Sequence, residues 1–273
     1  MLRLETETGW WLVTHPDHAR LAGAFAEAWG NDLFASPQPR ENVLLGIRTH
    51  DDGWSARDAN PQITRQGKPS AFSTELVGKY SAFEEIDLSD YLAVRDRAVQ
   101  LIAEQDAYAG LLVSMHTYNL LSARADRSTI KPDDLPLLDQ FLASQQDYQT
   151  ALLASIAADV RFSAAEKDPT RIEDHFRLLQ ATDNLSLLSC VGYMQPATLL
   201  HPLPLNNGTS TPVHVTALAE RHFRLDPYPF AATPLTFNFL ARHIEGKTFA
   251  SAEALQQKFA AAPIETLTVT VSA

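Results

Sequence analysis

A histidine–aspartate pair, His50-Asp51, is the feature of the sequence that points most directly to chemistry. It follows an apolar stretch with helical spacing at positions 43–47 and is closed by Asp52-Gly53. Two such side chains at the end of a helix can turn toward one divalent metal ion. Imidazole nitrogen suits zinc, iron, copper or nickel, and carboxylate oxygen also suits magnesium and manganese. The pair indicates a metal site if the fold brings further ligands to it.

Three isolated polar residues elsewhere, His18, His116 and Asp183, fall on the apolar faces of predicted helices. A carboxylate in such a position is costly unless it is paired or bound to a metal. The alternative is a local hydrogen bond for each histidine, and an ion pair with Arg177 or Arg48 for Asp183. Taken as a set, the candidate metal ligands are His18, His50, Asp51, His116 and Asp183.

Asp52 follows the pair directly and is the candidate general base or ligand-orienting residue, with a solvated acid as the alternative. An anionic substrate also needs cationic partners. The basic residues near the ligands or in the loop that follows are Arg20, Arg48, Arg57, Lys68 and Lys79. Trp54 and Phe72 offer a stacking wall for a base, although aromatic core packing is the favoured explanation for both.

Composition limits the classes of function. The net charge of -11 over 273 residues argues against binding to nucleic acid or to anionic membranes, but it allows a small anionic substrate. The single cysteine, Cys190, excludes an internal disulfide and fits a cytoplasmic protein. The first residues resemble neither a signal peptide nor a membrane span. His15, which precedes a proline at a helix start, is expected to lie outside the ligand set.

The elements that must position these residues are mostly helical. Leu2 to Val13 reads as a hairpin that turns at Gly9, and 53–70 reads as a long loop, which is often functional. Predicted helices cover 16–30, 39–51, 89–104, 106–122, 132–164, 170–191 and 251–261, and predicted strands start at Val213, Leu235 and Leu267. We expect one domain over 1–273, with a helical core at 14–200 and a β-rich extension formed by 1–13 and 213–273.

The order of the candidate ligands resembles the HD-domain superfamily of metal-dependent phosphohydrolases. In that superfamily a histidine, a His-Asp doublet and a distal aspartate bind a metal, and His18, His50, Asp51 and Asp183 match this pattern. The doublet departs from the usual pattern, because Asp52-Gly53-Trp54 replaces an apolar residue, a glycine and a lysine. The resemblance implies a mainly α, HD-domain-like helical bundle with a small antiparallel β-sheet from the hairpin and the C-terminal strands.

A closer resemblance covers nearly the whole chain. The segments at 17–21, 50–54, 114–116 and 183–187 look like an uncharacterised bacterial family known only as a domain of unknown function. That resemblance implies a fold and no activity.

Three functions remain open from the sequence. The first is a metal-dependent hydrolase of a small phosphoester or nucleotide, with one or two ions of iron, manganese or zinc. The second is a di-iron oxygenase on the same helical scaffold, for which His116 supplies the additional ligand. The third is a non-catalytic binding protein that a metal stabilises.

Overall fold

Three helices and the turn after a fourth supply the candidate ligands, and the computed structural model describes residues 1–78 and 87–273. Lys79 lies outside the described residues. The helices are α1 (His15–Ala28), α2 (Arg40–Thr49), α3 (Ser55–Asp58), α4 (Leu88–Gln105), α5 (Ala107–Asn119), α6 (Leu135–Ala158), α7 (Pro169–Cys190) and α8 (Ala252–Ala261). A 3₁₀ turn over Asp52–Trp54 joins the His-Asp pair to α3, and a π-helical turn over Leu120–Arg124 continues α5.

Local sequence explains where these helices begin. The Thr14 side chain caps α1 by accepting a hydrogen bond from the Asp17 amide, and a proline occupies the first turn. Asp106 and Asp168 cap α5 and α7 in the same way. The predicted helices are confirmed within a few residues, except that the one expected over 132–164 is shorter, because α6 ends before Asp159.

The strands form a seven-stranded sheet in the order β1-β2-β8-β9-β7-β6-β3. Its strands are β1 (Leu2–Glu5), β2 (Gly9–Val13), β3 (Ala197–Thr198), β6 (His214–Ala219), β7 (His222–Asp226), β8 (Leu235–Glu245) and β9 (Glu265–Ser272), while β4 (Leu203–Pro204) and β5 (Ser210–Thr211) pair separately. The N-terminal hairpin joins the C-terminal strands through antiparallel pairing of β2 with β8. The pair β7–β9 is parallel.

The prediction of a mainly α, HD-domain-like bundle with a small antiparallel sheet is therefore wrong. Half of the protein is helical, and the sheet is a large, mixed, curled half-barrel. The prediction failed because β7 and β3 are short, and because β8 is twice as long as the alternating pattern beginning at Leu235 indicated. Parallel pairing of β7 with β9 joins segments far apart in the chain and has no local sequence signal. The single-domain organisation stays a prediction.

The sheet and helices meet in a common core that fixes α1. Phe25 of α1 packs edge-on against Phe237 of β8, with ring centroids 4.7 Å apart. On its other sides α1 contacts α2 and α7, and α2 contacts α5. Gly46 allows α2 to approach α5 closely, because a Cβ there would lie 3.2 Å from the Ala109 carbonyl oxygen. This packing brings the ligand-bearing positions of four helices to one place.

Candidate metal centre

The five predicted ligands converge. His18 comes from α1, His50 and Asp51 follow α2, and His116 and Asp183 come from α5 and α7. Two groups, His18–His50–Asp51 and His50–His116–Asp183, each have ligand atoms within 4.8 Å of one another. All five side chains are buried.

His50 shows most clearly that this cluster fits a metal ion. Its Nδ1 lies 2.7 Å from the Ile47 carbonyl oxygen, to which it donates, so Nε2 is the nitrogen that faces the cluster. That nitrogen is fully buried and has no hydrogen-bond partner among the described residues, while Asp183 Oδ1 lies 3.4 Å away and Asp51 Oδ2 lies 3.8 Å away. A backbone carbonyl that fixes the imidazole and leaves its other nitrogen open is the usual arrangement around a metal-binding histidine.

His18 also directs one ring nitrogen into the cluster. The Ser186 hydroxyl donates to the Asp183 carbonyl, so its oxygen accepts from His18 Nδ1, 3.0 Å away. In a neutral imidazole the Nε2 atom then presents a lone pair to Asp51 Oδ2, also 3.0 Å away. Two acceptors this close require a cation between them, either a proton or a metal ion.

The electrostatics of the cluster balance two carboxylates against two cations. Burial alone would lower the pKa of His50, but the charges of Asp51 and Asp183 raise it to about 9. Burial would raise the pKa of Asp183, but the His50 imidazolium beside it holds it at about 2. A proton on His50 Nε2 thus occupies the position that a metal would take.

Arg95 supplies the second cation and was not predicted from the sequence. Its guanidinium donates to Asp51 Oδ1 and stacks on the rings of Trp54 and Tyr91, each with its centroid 5.3 Å away. Burial would raise the pKa of Asp51, but Arg95 keeps it well below the usual range. The only sequence signal was an arginine at an apolar helical position of α4.

His116 stands apart from the other ligands. Its Nδ1 lies 3.1 Å from the Gln180 side-chain amide, and burial lowers its pKa to about 3. The two metal-sized groups share His50, which has a single nitrogen to offer because Nδ1 is bound to Ile47. His50 can therefore bind only one ion, and His116, already bonded to Gln180, is the ligand whose role is conditional.

A cavity of about 960 Å³ opens beside the cluster. His18, Asp51, Asp183 and His116 line one part of it. Part of the remaining wall comes from the predicted long loop, and the lining includes the cationic and aromatic side chains of Arg3, Trp54, Arg57, Arg65, Lys68, Phe72, Tyr91 and Arg95. The segment predicted as a loop at 53–70 therefore contributes to the wall, although its start is helical, with a 3₁₀ turn over Asp52–Trp54 and then α3; Trp54 and Phe72 both face the cavity.

The predicted substrate and base residues divide into two sets. Arg57 and Lys68 line the cavity. Arg20 and Asp52 do not, and they pair with each other at 2.7 Å on the surface. Arg48 is exposed, away from the cavity wall. Asp52 thus has a structural partner in Arg20 and no direct access to the cavity.

His15 lies on the cavity wall, where the sequence did not place it. Its Nδ1 is 3.0 Å from Asp58 Oδ2, and its ring stacks on Trp54 with centroids 4.4 Å apart. Burial lowers its pKa to about 4. Among the described residues it belongs to neither metal-sized group, in agreement with its expected exclusion from the ligand set.

The remaining alternatives from the sequence are settled by contacts. Arg177 pairs with Glu173, so the ion pair considered between Arg177 and Asp183 does not form. His175 is buried against the Tyr108 hydroxyl at 2.8 Å and serves the core. Cys190 is buried as expected, and its burial raises the pKa of the thiol.

Within residues 1–78 and 87–273, no helix combines the length and apolarity that crossing a membrane requires. No curated protein and no solved structure matches the chain. A family model described as "Protein of unknown function (DUF3891)" matches residues 1–246, and so the chain belongs to that family.

Proposed function

We propose that the protein is a metal-dependent hydrolase of a small anionic phosphoester, with a divalent ion held by His18, His50, Asp51 and Asp183. The observation that carries the proposal is the buried, unpartnered Nε2 of His50, which faces two carboxylates beside a large cavity. Iron, manganese and zinc all accept this set of nitrogen and oxygen ligands.

When bound, such an ion lowers the pKa of a coordinated water and polarises a phosphoryl oxygen. The side chains around it act by holding the ligands. The Ile47 carbonyl orients His50, the Ser186 hydroxyl orients His18, and Arg95 fixes one oxygen of Asp51. These contacts leave the remaining donor atoms directed into the cluster.

The cavity supplies the substrate's surroundings. Arg57 and Lys68 are partly exposed side chains on its wall and suit a phosphate or another anionic group. Phe72 gives a flat apolar surface on which an organic group can rest, whereas the buried Trp54 ring is already packed by His15 and Arg95. The single cysteine is buried and free, which fits the reducing cytoplasm in which we place this activity.

Elemental analysis of the purified protein tests the metal centre. We expect one equivalent of manganese, iron or zinc in the wild type, and none in His50→Ala or Asp183→Ala. His175→Ala is the matched control, because it removes a buried histidine from α7 that contacts Tyr108 instead of the cluster. It should retain the metal.

Activity is then measured on p-nitrophenyl phosphate and a panel of nucleoside phosphates, with the same four proteins. Hydrolysis by the wild type and the control, lost with the metal in the two ligand variants, supports the proposal. A wild type that holds no metal after reconstitution with manganese, iron or zinc refutes it. Bound metal with no turnover on any phosphoester would instead favour the non-catalytic, metal-stabilised protein.

A further inference from the structure

His116 is connected to a second histidine through one buried amide. The Gln180 Nε2 atom lies 3.1 Å from His116 Nδ1, and the Gln180 Oε1 atom lies 3.2 Å from His201 Nε2. Gln180 is fully buried on α7, one turn before Asp183. The amide therefore joins a candidate ligand to a histidine outside the cluster.

The hydrogen bonds fix which nitrogen of His116 carries a proton. An amide oxygen only accepts, so His201 Nε2 must donate to it, and the amide nitrogen must then donate to His116 Nδ1. A neutral His116 with an accepting Nδ1 carries its proton on Nε2. That nitrogen is the one left for a metal, because Nδ1 is occupied by Gln180, and once protonated it has no lone pair to offer.

Rotating the Gln180 side-chain amide by 180° would reverse the direction of both hydrogen bonds, the one to His116 and the one to His201. With its oxygen toward His116, Gln180 would accept from Nδ1–H, and His116 Nε2 would be free to bind an ion. His201 would then have to accept from the amide nitrogen. The tautomers of the two histidines are coupled through Gln180, and only one of the two states makes His116 a ligand.

His201 is held in place by the backbone. It lies between β3 and β4 with φ at 63°, a left-handed conformation uncommon for residues other than glycine. Its ring also packs against Phe176, with centroids 5.7 Å apart. Such a conformation persists only where the surroundings determine it, and here it presents His201 Nε2 to the amide.

We propose that Gln180, oriented by His201, withholds His116 from the metal centre and makes it a conditional ligand. This inference rests on the proposed function, because it concerns the same metal. It makes Gln180 and His201 positioning residues that tune metal affinity without touching the ion.

Two variants test the coupling. In Gln180→Glu the new carboxylate only accepts, so His116 must place its proton on Nδ1 and free Nε2. In His201→Ala the amide loses the partner that orients it and can turn, without any added charge near the metal. His116→Gln identifies the resonances of this histidine among the nine in the chain.

The first measurement is long-range ¹H–¹⁵N NMR of the metal-free, ¹⁵N-histidine-labelled protein. We expect His116 protonated on Nε2 in the wild type, on Nδ1 in Gln180→Glu, and distributed between both in His201→Ala. The second is metal affinity by competition with a chelating dye and manganese or zinc. Both variants should bind about tenfold more tightly or better, the size typical for residues that orient a ligand.

Gln149→Glu is the control for added negative charge, since Gln149 donates to Ser114 on α5, whereas His116 bonds to Gln180. It should leave the His116 tautomer unchanged. A wild-type His116 protonated on Nδ1, or affinities that stay within about twofold in both variants, overturns the inference. If no protein binds metal while the tautomers shift as expected, the proposed function fails and only the hydrogen-bond coupling stands.

Discussion

Metal binding to this cluster should release a proton from His50. The two neighbouring carboxylates raise the pKa of His50 to about 9 against the burial that opposes them. At neutral pH the metal-free protein therefore carries a proton on the nitrogen that the metal needs. Lowering the pH below 9 should weaken metal binding because the proton competes for the same atom.

The size of this effect on metal affinity follows from the difference between pH 7 and the His50 pKa of about 9. Each pH unit below the pKa costs about 1.36 kcal/mol, so binding at pH 7 should be weaker than its limiting value by about 2.7 kcal/mol, or roughly 100-fold. About one proton should be released per ion at pH 7, and about half a proton at pH 9. Asp183, whose pKa lies at about 2, contributes no proton in this window.

Isothermal titration calorimetry with manganese, in buffers of different ionisation enthalpy, counts the protons directly. His175→Ala should behave as the wild type does. An affinity that changes less than about threefold between pH 7 and pH 9, with no proton released, would show that His50 is neutral before the metal arrives.

The raised pKa of His50 has a second consequence, for the stability of the metal-free protein. His50 contributes stability that is present below pH 6.5 and is lost as the pH rises through about 9.

Three further predictions concern the walls of the site. Arg95→Met should lower the free energy of unfolding of the metal-free protein by about 3–5 kcal/mol in urea titrations, because it leaves the buried Asp51 charge without its partner. Adding Asp51→Asn should recover part of the loss. A loss below about 1 kcal/mol would contradict this. Gly53→Ala should lower the free energy of unfolding by about 1–3 kcal/mol, because the added Cβ would lie 2.5 Å from a carbonyl oxygen of α4. The loss should appear as a lower Tm, and an unchanged Tm would refute the close packing. Arg57→Ala should raise KM for an anionic substrate roughly 10-fold or more with little change in kcat. The control variant Arg20→Ala should change neither constant, because Arg20 pairs with Asp52 on the surface. If the two variants raised KM equally, the substrate would bind elsewhere.

The ligands were predictable from the sequence because each breaks a local pattern. His18, His116 and Asp183 interrupt apolar helical faces, and their burial in the structure confirms that these faces point inward. A buried polar residue needs a partner, and five such residues in one chain can satisfy one another. Helical spacing therefore indicated which residues turn inward, and the resemblance of their order to the HD-domain pattern was the reason to expect that they converge.

Arg95 and the sheet could not be predicted in this way. An arginine on a helix usually reaches water, and nothing near Arg95 in the sequence indicates that Asp51 is its partner. The sheet depends on pairs such as β2–β8, whose strands lie at opposite ends of the chain. Both features are long-range contacts, and a short window of sequence carries no information about which distant segment a residue meets.

Gly53 links the local sequence around His50 and Asp51 to a long-range contact with α4. The residue after His50-Asp51-Asp52 has no side chain, so the turn over Asp52–Trp54 can lie directly against Val94 and Ala98 of α4. That approach brings Arg95, the neighbour of Val94, to Asp51 and places its guanidinium on the Trp54 ring. A larger residue at position 53 would push α4 away and leave Asp51 without its cation. The turn over Asp52–Trp54 is thus where this chain builds a buried arginine into the surroundings of its candidate metal ligands.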